Sequence, residues 1–150
     1  GMKILATQRA STNAHKHSGV TFVSLEELLQ QSDVVSLHCR LTPETQFLID
    51  GNRLSQMKSN AFLLNTSRGP LVDERALADA LMSGQIAGAG IDVVEIEPPR
   101  SESLLYQAPN CYITPHIAWA TKEARTRLLN TAVENVKCYL TGKPQNVVNT

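Results

Sequence analysis

Between residues 65 and 121 the chain reads N-T-S-R-G-P-L-V-D (Asn65–Asp73), G-A-G-I-D-V-V-E-I-E-P-P (Gly88–Pro99) and I-T-P-H-I-A-W-A-T (Ile113–Thr121). In each block an apolar run ends abruptly in a polar or charged residue that Gly or Pro follows. This pattern is typical of a buried parallel strand that is followed, at its carboxyl end, by functional residues. The three tips offer a guanidinium, a carboxylate and an imidazole, from Arg68, Glu97 and His116. Such a set is sufficient to clamp a small anion and to move a proton on it.

Further strands and helices alternate on both sides of these blocks. Ala61–Asn65 is expected to be a central strand, because no polar residue alternates within it. The Gly- and Ala-rich strand predicted at Ile86–Val94 is expected to let helices approach closely. Ser24, Asp73 and Thr121 are expected to cap helices, the last of which turns its leucines and valines inward. This alternation predicts an α/β fold with a doubly wound parallel sheet.

The composition excludes several classes of function. The 150 residues amount to one domain, and 14 basic residues balance 14 acidic ones. We therefore expect no binding to nucleic acid or membranes. No apolar run approaches the length of a bilayer span, and no signal peptide opens the chain, which favours a cytoplasmic protein. The three cysteines are expected to be reduced and buried, and His15 with His17 provides too few ligands for a metal site.

The blocks, taken with their flanking motifs, resemble a known family. Ser32–Thr45 (S-D-V-V-S-L-H-C-R-L-T-P-E-T), N-T-S-R-G, G-A-G-I-D-V, Glu97-Pro98 and T-P-H-I-A are similar to motifs of the D-isomer-specific 2-hydroxyacid dehydrogenases. The match keeps its register across nearly the whole chain. The form T-P-H-I-A-W-A-T, with Trp119, is most similar to the glycerate dehydrogenase and hydroxypyruvate or glyoxylate reductase group.

The resemblance implies a Rossmann-type coenzyme domain with strand order 3-2-1-4-5-6-7. Family members have a first strand and a G-x-G-x-x-G turn just before the position of Lys3, and a separate substrate lobe. Residues 1–150 are therefore expected to be a partial dinucleotide-binding domain that lacks this strand and loop. The missing strand would lie between Lys3–Thr7 and Val34–Leu37, leaving two buried sheet edges unpaired. We predict that these residues alone fold poorly or pair with another chain across the gap.

The resemblance also implies a reaction, the reversible transfer of a hydride between a nicotinamide ring and C2 of a D-2-hydroxy or 2-keto acid. It makes His116 the proton donor, Glu97 the buried carboxylate that orients the imidazole, and Arg68 the clamp for the substrate carboxylate. An arginine suits that role because its planar fork binds a carboxylate through two hydrogen bonds. The substrate pocket is expected to contain Arg68, His116 and Trp119, although Trp119 has packing as an equal alternative.

The coenzyme site implied by the resemblance draws on the same region. Asp92 matches the aspartate that holds the nicotinamide carboxamide, and the full expected set is Arg9, Cys39, Thr66, Arg68, Asp92, His116 and Ala118. The coenzyme is NAD or NADP. The strand at Lys3–Thr7 ends without the acidic residue usual in members that use NAD, and Arg9 follows, which favours NADP. We expect a homodimer.

Alternative interpretations remain from other classes. Relatives that act as dinucleotide-sensing transcriptional corepressors keep the same arginine, glutamate and histidine. An inactive fragment of the enzyme is the other alternative, because the phosphate-binding loop is absent. A formate-dehydrogenase-like member is disfavoured, since that group has glutamine at the position of Glu97.

Overall fold

The structure is a computed structural model that describes residues 1–7, 19–98 and 101–148. The chain divides into two compact units, Gly1–Pro115 and His116–Thr150.

The first unit carries parallel strands in two separate sheets. A two-stranded sheet pairs β1 (Ile4–Ala6) with β2 (Val20–Phe22). A four-stranded sheet has the order β3-β4-β5-β6, with bounds Val34–Leu37, Phe62–Asn65, Gly88–Ile91 and Cys111–Ile113. Register brings Leu37, Asn65 and Ile91 side by side, so the carboxyl ends of three strands lie at one edge. The predicted α/β parallel sheet is confirmed.

Helices follow the strands, and local hydrogen bonds set their starts. They are α1 (Leu25–Gln31), α2 (Gly51–Leu54) and α3 (Glu74–Met82), with short 3-10 turns at Gly69–Leu71 and Leu104–Tyr106. Ser24, Asp50 and Asp73 each accept a hydrogen bond from a backbone N–H three residues on. Such caps satisfy N–H groups that the helix itself leaves without a partner.

The core lies on one face of the four-stranded sheet, where helices α1 to α3 cover it. Leu63 and Asn65 of β4 point into this core, whereas Phe62 and Leu64 are exposed at 40% and 36%. Because β4 pairs with both β3 and β5, the prediction of a central strand is confirmed, although only one face of the strand is buried. An apolar side chain at every position does not show which face of a strand is covered.

The glycines of β5 have a different role from the predicted one. A Cβ at Gly88 would lie 2.6 Å from the Phe62 ring, and one at Gly90 would lie 2.9 Å from Leu64 Cδ2. These glycines make room for side chains of the neighbouring strand β4, rather than for a helix. The strand is also shorter than predicted, Gly88–Ile91 instead of Ile86–Val94.

A gap separates the two sheets of the first unit. Within the described residues, no backbone ladder joins β1 to β3. Two cavities lie between them, one of about 340 Å³ at the amino ends, beside Lys3 and Asp33, and one of about 330 Å³ at the carboxyl ends, beside Thr7 and Leu37. The gap lies at the position where the sequence predicts a missing strand.

The second unit is dominated by the helix α4 (Lys122–Leu140), which Thr121 caps by accepting from Ala124 N. The chain leaves it through Gly142, whose φ of +73° suits glycine. No residue of α4 is buried, so the prediction of an inward apolar face is wrong for this structure. The exposed residues are Leu128, Leu129, Val133, Val136 and Leu140.

Candidate functional site

Arg68 lies on a tight loop at the carboxyl end of β4. The Asn65 side chain, 1% exposed, donates from Nδ2 to the Arg68 carbonyl (2.9 Å) and accepts from the Ser67 N–H at Oδ1 (3.1 Å). Ser67 Oγ donates to the Leu37 carbonyl at the end of β3 (2.7 Å). The exposed guanidinium of Arg68 donates from Nη1 to the Ser67 carbonyl (2.6 Å). The loop therefore places a positive charge at the carboxyl ends of the strands, and hydrogen bonds with β3 and β4 hold the loop in place.

Asp92 lies directly after β5 and is 4% exposed. Thr114, which follows β6, donates from Oγ1 to Asp92 Oδ1 (2.5 Å), and the Asp92 N–H donates to the Asn65 carbonyl (2.9 Å). These bonds tie together the ends of β4, β5 and β6. A buried carboxylate needs such donors, because desolvation of an ionised group is costly.

Glu97 lies in the loop after β5, at a cis peptide bond with Pro98. Its Oε1 accepts a hydrogen bond from the Val94 N–H of the same loop (3.2 Å). The residue is exposed, which corrects the prediction of a buried carboxylate. The buried apolar run ends at Val94, and the three residues before Pro98 are all exposed.

The loops that carry Arg68 and Glu97 are packed together. A Cβ at Gly69 would overlap the carbonyl group of Val94 and the nitrogen of Glu95, and all of these are backbone atoms. Glycine is required here because only its bare backbone permits so close an approach. The two loops are thus held in a fixed relation within the first unit.

Glu74, the first residue of α3, also binds the loop that carries Glu97. Its Oε1 accepts from the Glu95 N–H (2.5 Å). Burial raises the pKa of Glu74, the Glu95 N–H lowers it, and the nearby charge of Glu95 raises it further. Sequence reasoning missed Glu74 because a contact across 21 residues leaves no local signal.

The expected coenzyme residues of the first unit lie at the carboxyl ends of the strands. Cys39 lines the cavity of about 330 Å³ at the ends of β1 and β3, together with Thr7, Leu37 and Leu48. Dinucleotides bind at this edge of open parallel sheets, where the strand order reverses. Thr66 is exposed on the Arg68 loop. Arg9 lies outside the described residues.

The cysteine thiols are free, and all three are half-buried rather than buried as predicted. Burial raises the pKa of Cys39. Burial, with the nearby charge of Glu74, raises the pKa of Cys111 to about 11. A raised pKa disfavours the thiolate, so neither thiol is prepared for nucleophilic chemistry.

The second unit begins with His116, which is exposed and has a φ of +55°. Its carbonyl accepts from Trp119 Nε1 (2.8 Å), and the Ile117 carbonyl accepts from the Ala120 N–H (2.8 Å). The histidine, Ala118 and Trp119 therefore lie on one hydrogen-bonded turn. The indole is 55% exposed, and its N–H orients it against this turn.

The structure thus brings some predicted residues together within one unit. Arg68, Asp92 and Glu97 lie on neighbouring loops of the first unit, whereas His116, Ala118 and Trp119 belong to the second. Asn65 and Thr114 were quoted in the motifs but received no role from sequence reasoning. Asn65 had a signal, because it alternates with Leu63 and must face the same side of the strand.

The described residues contain neither a cluster of metal ligands nor a membrane-spanning helix. They contain no group of three or more His, Cys, Asp or Glu side chains arranged to hold a metal ion. Among the helices of residues 1–7, 19–98 and 101–148, none combines the length and apolarity needed to cross a membrane.

Comparison with known families gives a specific match. Residues 1–118 match the family model described as D-isomer specific 2-hydroxyacid dehydrogenase, NAD binding domain. The chain is 48% identical over 149 residues to a hydroxypyruvate reductase of Blautia hydrogenotrophica, covering 99% of this chain and 46% of the relative. It is 49% identical over 150 residues to a glycerate dehydrogenase of Methylorubrum extorquens, covering 99% and 46%.

Among solved structures, an acyclic imino acid reductase in complex with NADPH and D-Arg is similar, with a TM-score of 0.86 and 34% identity. The match covers 99% of this chain and 46% of that one. The chain therefore spans about half the length of the relatives it matches.

Proposed function

The chain belongs to the D-isomer specific 2-hydroxyacid dehydrogenase family, as its NAD binding domain, and we propose that it forms the coenzyme half of an oxidoreductase acting on a small 2-keto or D-2-hydroxy acid. Hydroxypyruvate, glyoxylate and glycerate are the proposed substrates, because the similar relatives carry the names hydroxypyruvate reductase, glycerate dehydrogenase and glyoxylate reductase. The observation that supports this best is Arg68, whose exposed guanidinium lies at a strand end on a loop fastened to those of Asp92 and Glu97.

The residues present fit the nicotinamide end of a coenzyme. Asp92 is a buried carboxylate at the carboxyl end of β5, and its Thr114 hydrogen bond fixes the orientation of one oxygen. We propose that Asp92 holds the carboxamide, and that Cys39, Thr66 and Ala118 line the coenzyme cleft. When bound, the coenzyme supplies or accepts the hydride. The phosphate-binding glycine loop of the family has no counterpart among residues 1–150.

Arg68 is proposed to bind the substrate carboxylate and the neighbouring carbonyl oxygen. One of its N–H groups is engaged with the Ser67 carbonyl, which orients the fork, and a guanidinium has five donors in total. A guanidinium bound to the carbonyl oxygen also stabilises the negative charge that develops there during reduction.

His116 is proposed to deliver the proton to that oxygen, with Trp119 beside the substrate. An imidazole suits this role, because histidine is the side chain that most often donates or accepts a proton in catalysis. The role of Glu97 as its orienting carboxylate is part of this proposal. His116→Ala is expected to abolish reduction, and Glu97→Gln is expected to move the acid limb of the pH profile for kcat/KM.

The decisive experiment replaces Arg68 by lysine in the full-length protein. Lysine keeps the charge but loses the planar fork, so kcat with hydroxypyruvate is expected to fall by about 100-fold or more, with coenzyme Kd nearly unchanged. Arg127→Lys, at an exposed position on α4, is the matched control and is expected to retain activity. A full rate for Arg68→Lys with hydroxypyruvate, glyoxylate and pyruvate would overturn the proposal.

We also propose NADP(H) rather than NAD(H) as the coenzyme, because β1 ends without an acidic residue and Arg9 follows. The ratio of kcat/KM with NADPH to that with NADH tests this, and a ratio below one contradicts it. A homodimer in the cytoplasm is proposed in addition, and sedimentation and cell fractionation would test these two points. The 150-residue chain alone is expected to be inactive.

A further inference from the structure

A buried side chain at the end of β4 forms hydrogen bonds with the backbone of the Arg68 loop. We infer that Asn65 is a positioning residue for Arg68, an inference that rests on the proposed role of Arg68 in substrate binding. Asn65 is one of two buried polar or charged residues among those described, and it lies at the last position of β4, three residues before Arg68.

Both ends of the Asn65 carboxamide bind the loop. Nδ2 donates to the Arg68 carbonyl at 2.9 Å, and Oδ1 accepts from the Ser67 N–H at 3.1 Å. The two bonds close the turn from opposite sides, so they determine the direction in which the Arg68 backbone runs. An apolar side chain of similar size would leave the Arg68 carbonyl and the Ser67 N–H without these hydrogen bonds. Buried polar groups without a partner are rare because they destabilise the folded state.

The Asn65 backbone is fixed by its neighbours as well. Its carbonyl accepts from the Asp92 N–H at 2.9 Å, and its strand register places it between Leu37 and Ile91. Ser67 Oγ donates to the Leu37 carbonyl at 2.7 Å, which anchors the middle of the loop to β3. The loop has little freedom left, and the carboxamide is the element that orients its Arg68 end.

The position of the Arg68 guanidinium matters because a substrate-binding group must lie at the correct distance and angle from the substrate. A misplacement of about 1 Å at a substrate-binding group costs roughly 100-fold in rate. The carboxamide of Asn65 is therefore expected to affect turnover through the guanidinium, in addition to any change in overall stability. This expectation distinguishes a positioning residue from a residue that only fills the core.

A double-mutant cycle in the full-length protein tests the inference. Asn65→Ala is expected to lower kcat/KM for hydroxypyruvate by about 100-fold. In an Arg68→Lys background the same change is expected to have an effect within about twofold, because the group that it orients is already gone. Ser24→Ala, which removes one hydrogen bond at the α1 cap, is the control and is expected to keep kcat/KM.

A second variant covers the case in which Asn65→Ala does not fold. Asn65→Asp keeps the shape and the acceptor for Ser67, and it regains a donor for the Arg68 carbonyl only when protonated. Its kcat/KM relative to wild type is therefore expected to rise as the pH falls. A ratio that is constant with pH would overturn the inference.

The outcomes separate this inference from the proposed function. If Asn65→Ala and Arg68→Lys lower kcat/KM by independent factors, or if only Arg68→Lys lowers it, Asn65 does not act through Arg68 while the proposed function stands. If Arg68→Lys itself keeps full activity, the proposed function fails and the inference fails with it.

Discussion

Replacement of Gly69 by alanine tests the packing that holds the Arg68 and Glu97 loops together. The added Cβ would meet the backbone of Val94 and Glu95 closer than 3.0 Å, whereas ordinary contacts begin at 3.4 Å. The loops must therefore separate by more than 0.4 Å, the difference between these two distances. Backbone atoms cannot rotate away as a flexible side chain can, so the displacement passes to both loops.

Two quantities are expected to fall in Gly69→Ala. Overpacking of a well-packed site costs about 1–3 kcal/mol of unfolding free energy. The displacement is also expected to lower kcat/KM, by roughly 100-fold if it reaches about 1 Å at Arg68. Urea denaturation and steady-state kinetics with hydroxypyruvate measure the two effects separately, and coenzyme Kd is expected to change little.

Gly51→Ala is the matched control for this experiment. A Cβ there would meet only the Ala76 Cβ, at 3.8 Å, which is ordinary contact. Alanine in the first turn of α2 is expected to be neutral or to stabilise by about 0.4–1 kcal/mol. Wild-type stability and kcat/KM in Gly69→Ala, or an equal loss in Gly51→Ala, would refute the reasoning.

Three further predictions follow from burial and from the gap between the sheets. Because the pKa of Cys111 is about 11, roughly one thiol in a thousand is ionised at pH 8, so iodoacetamide should modify it far more slowly in the folded than in the urea-unfolded chain. Burial raises the pKa of Glu74 in the folded protein above its value in the unfolded chain. The contribution of Glu74 to folding stability is therefore present below the unfolded-state pKa and is lost as the pH rises through the folded-state pKa. Glu74→Gln should therefore stabilise the protein progressively as the pH rises above 4.5, and a pH-independent difference between urea midpoints would contradict this. Residues 1–150 alone should melt without a sharp monomeric transition or should pair with another chain across the β1–β3 gap, and calorimetry with sedimentation would reveal a cooperative monomer if this is wrong.

The sequence predicted best those features that depend on neighbours along the chain. Ser24, Asp73 and Thr121 each cap a helix through a backbone N–H three residues away, so a short window contains the whole interaction. The order of strands and helices followed from the same kind of local pattern. The family followed from motifs that keep their spacing, and the comparison confirmed it.

Burial was predicted less well, because a strand pattern does not say what covers each face. Phe62 and Leu64 belong to an apolar run, yet they lie on the uncovered face of β4. The apolar residues of α4 were predicted to be inward and are exposed. The exposure of a residue depends on which helices and strands pack together, and the local sequence of a strand or helix does not specify this.

The sequence by itself determined the α/β fold class, the family and the placing of Arg68 and Asp92 at strand ends. Only the tertiary structure decided that Asn65 holds the Arg68 loop and that Gly69 abuts Val94. The Gly69 contact joins residues 25 positions apart, because parallel strands pair only after a full helical crossover. Strand register therefore arranges the loops of the candidate site, and register is a property of the assembled sheet.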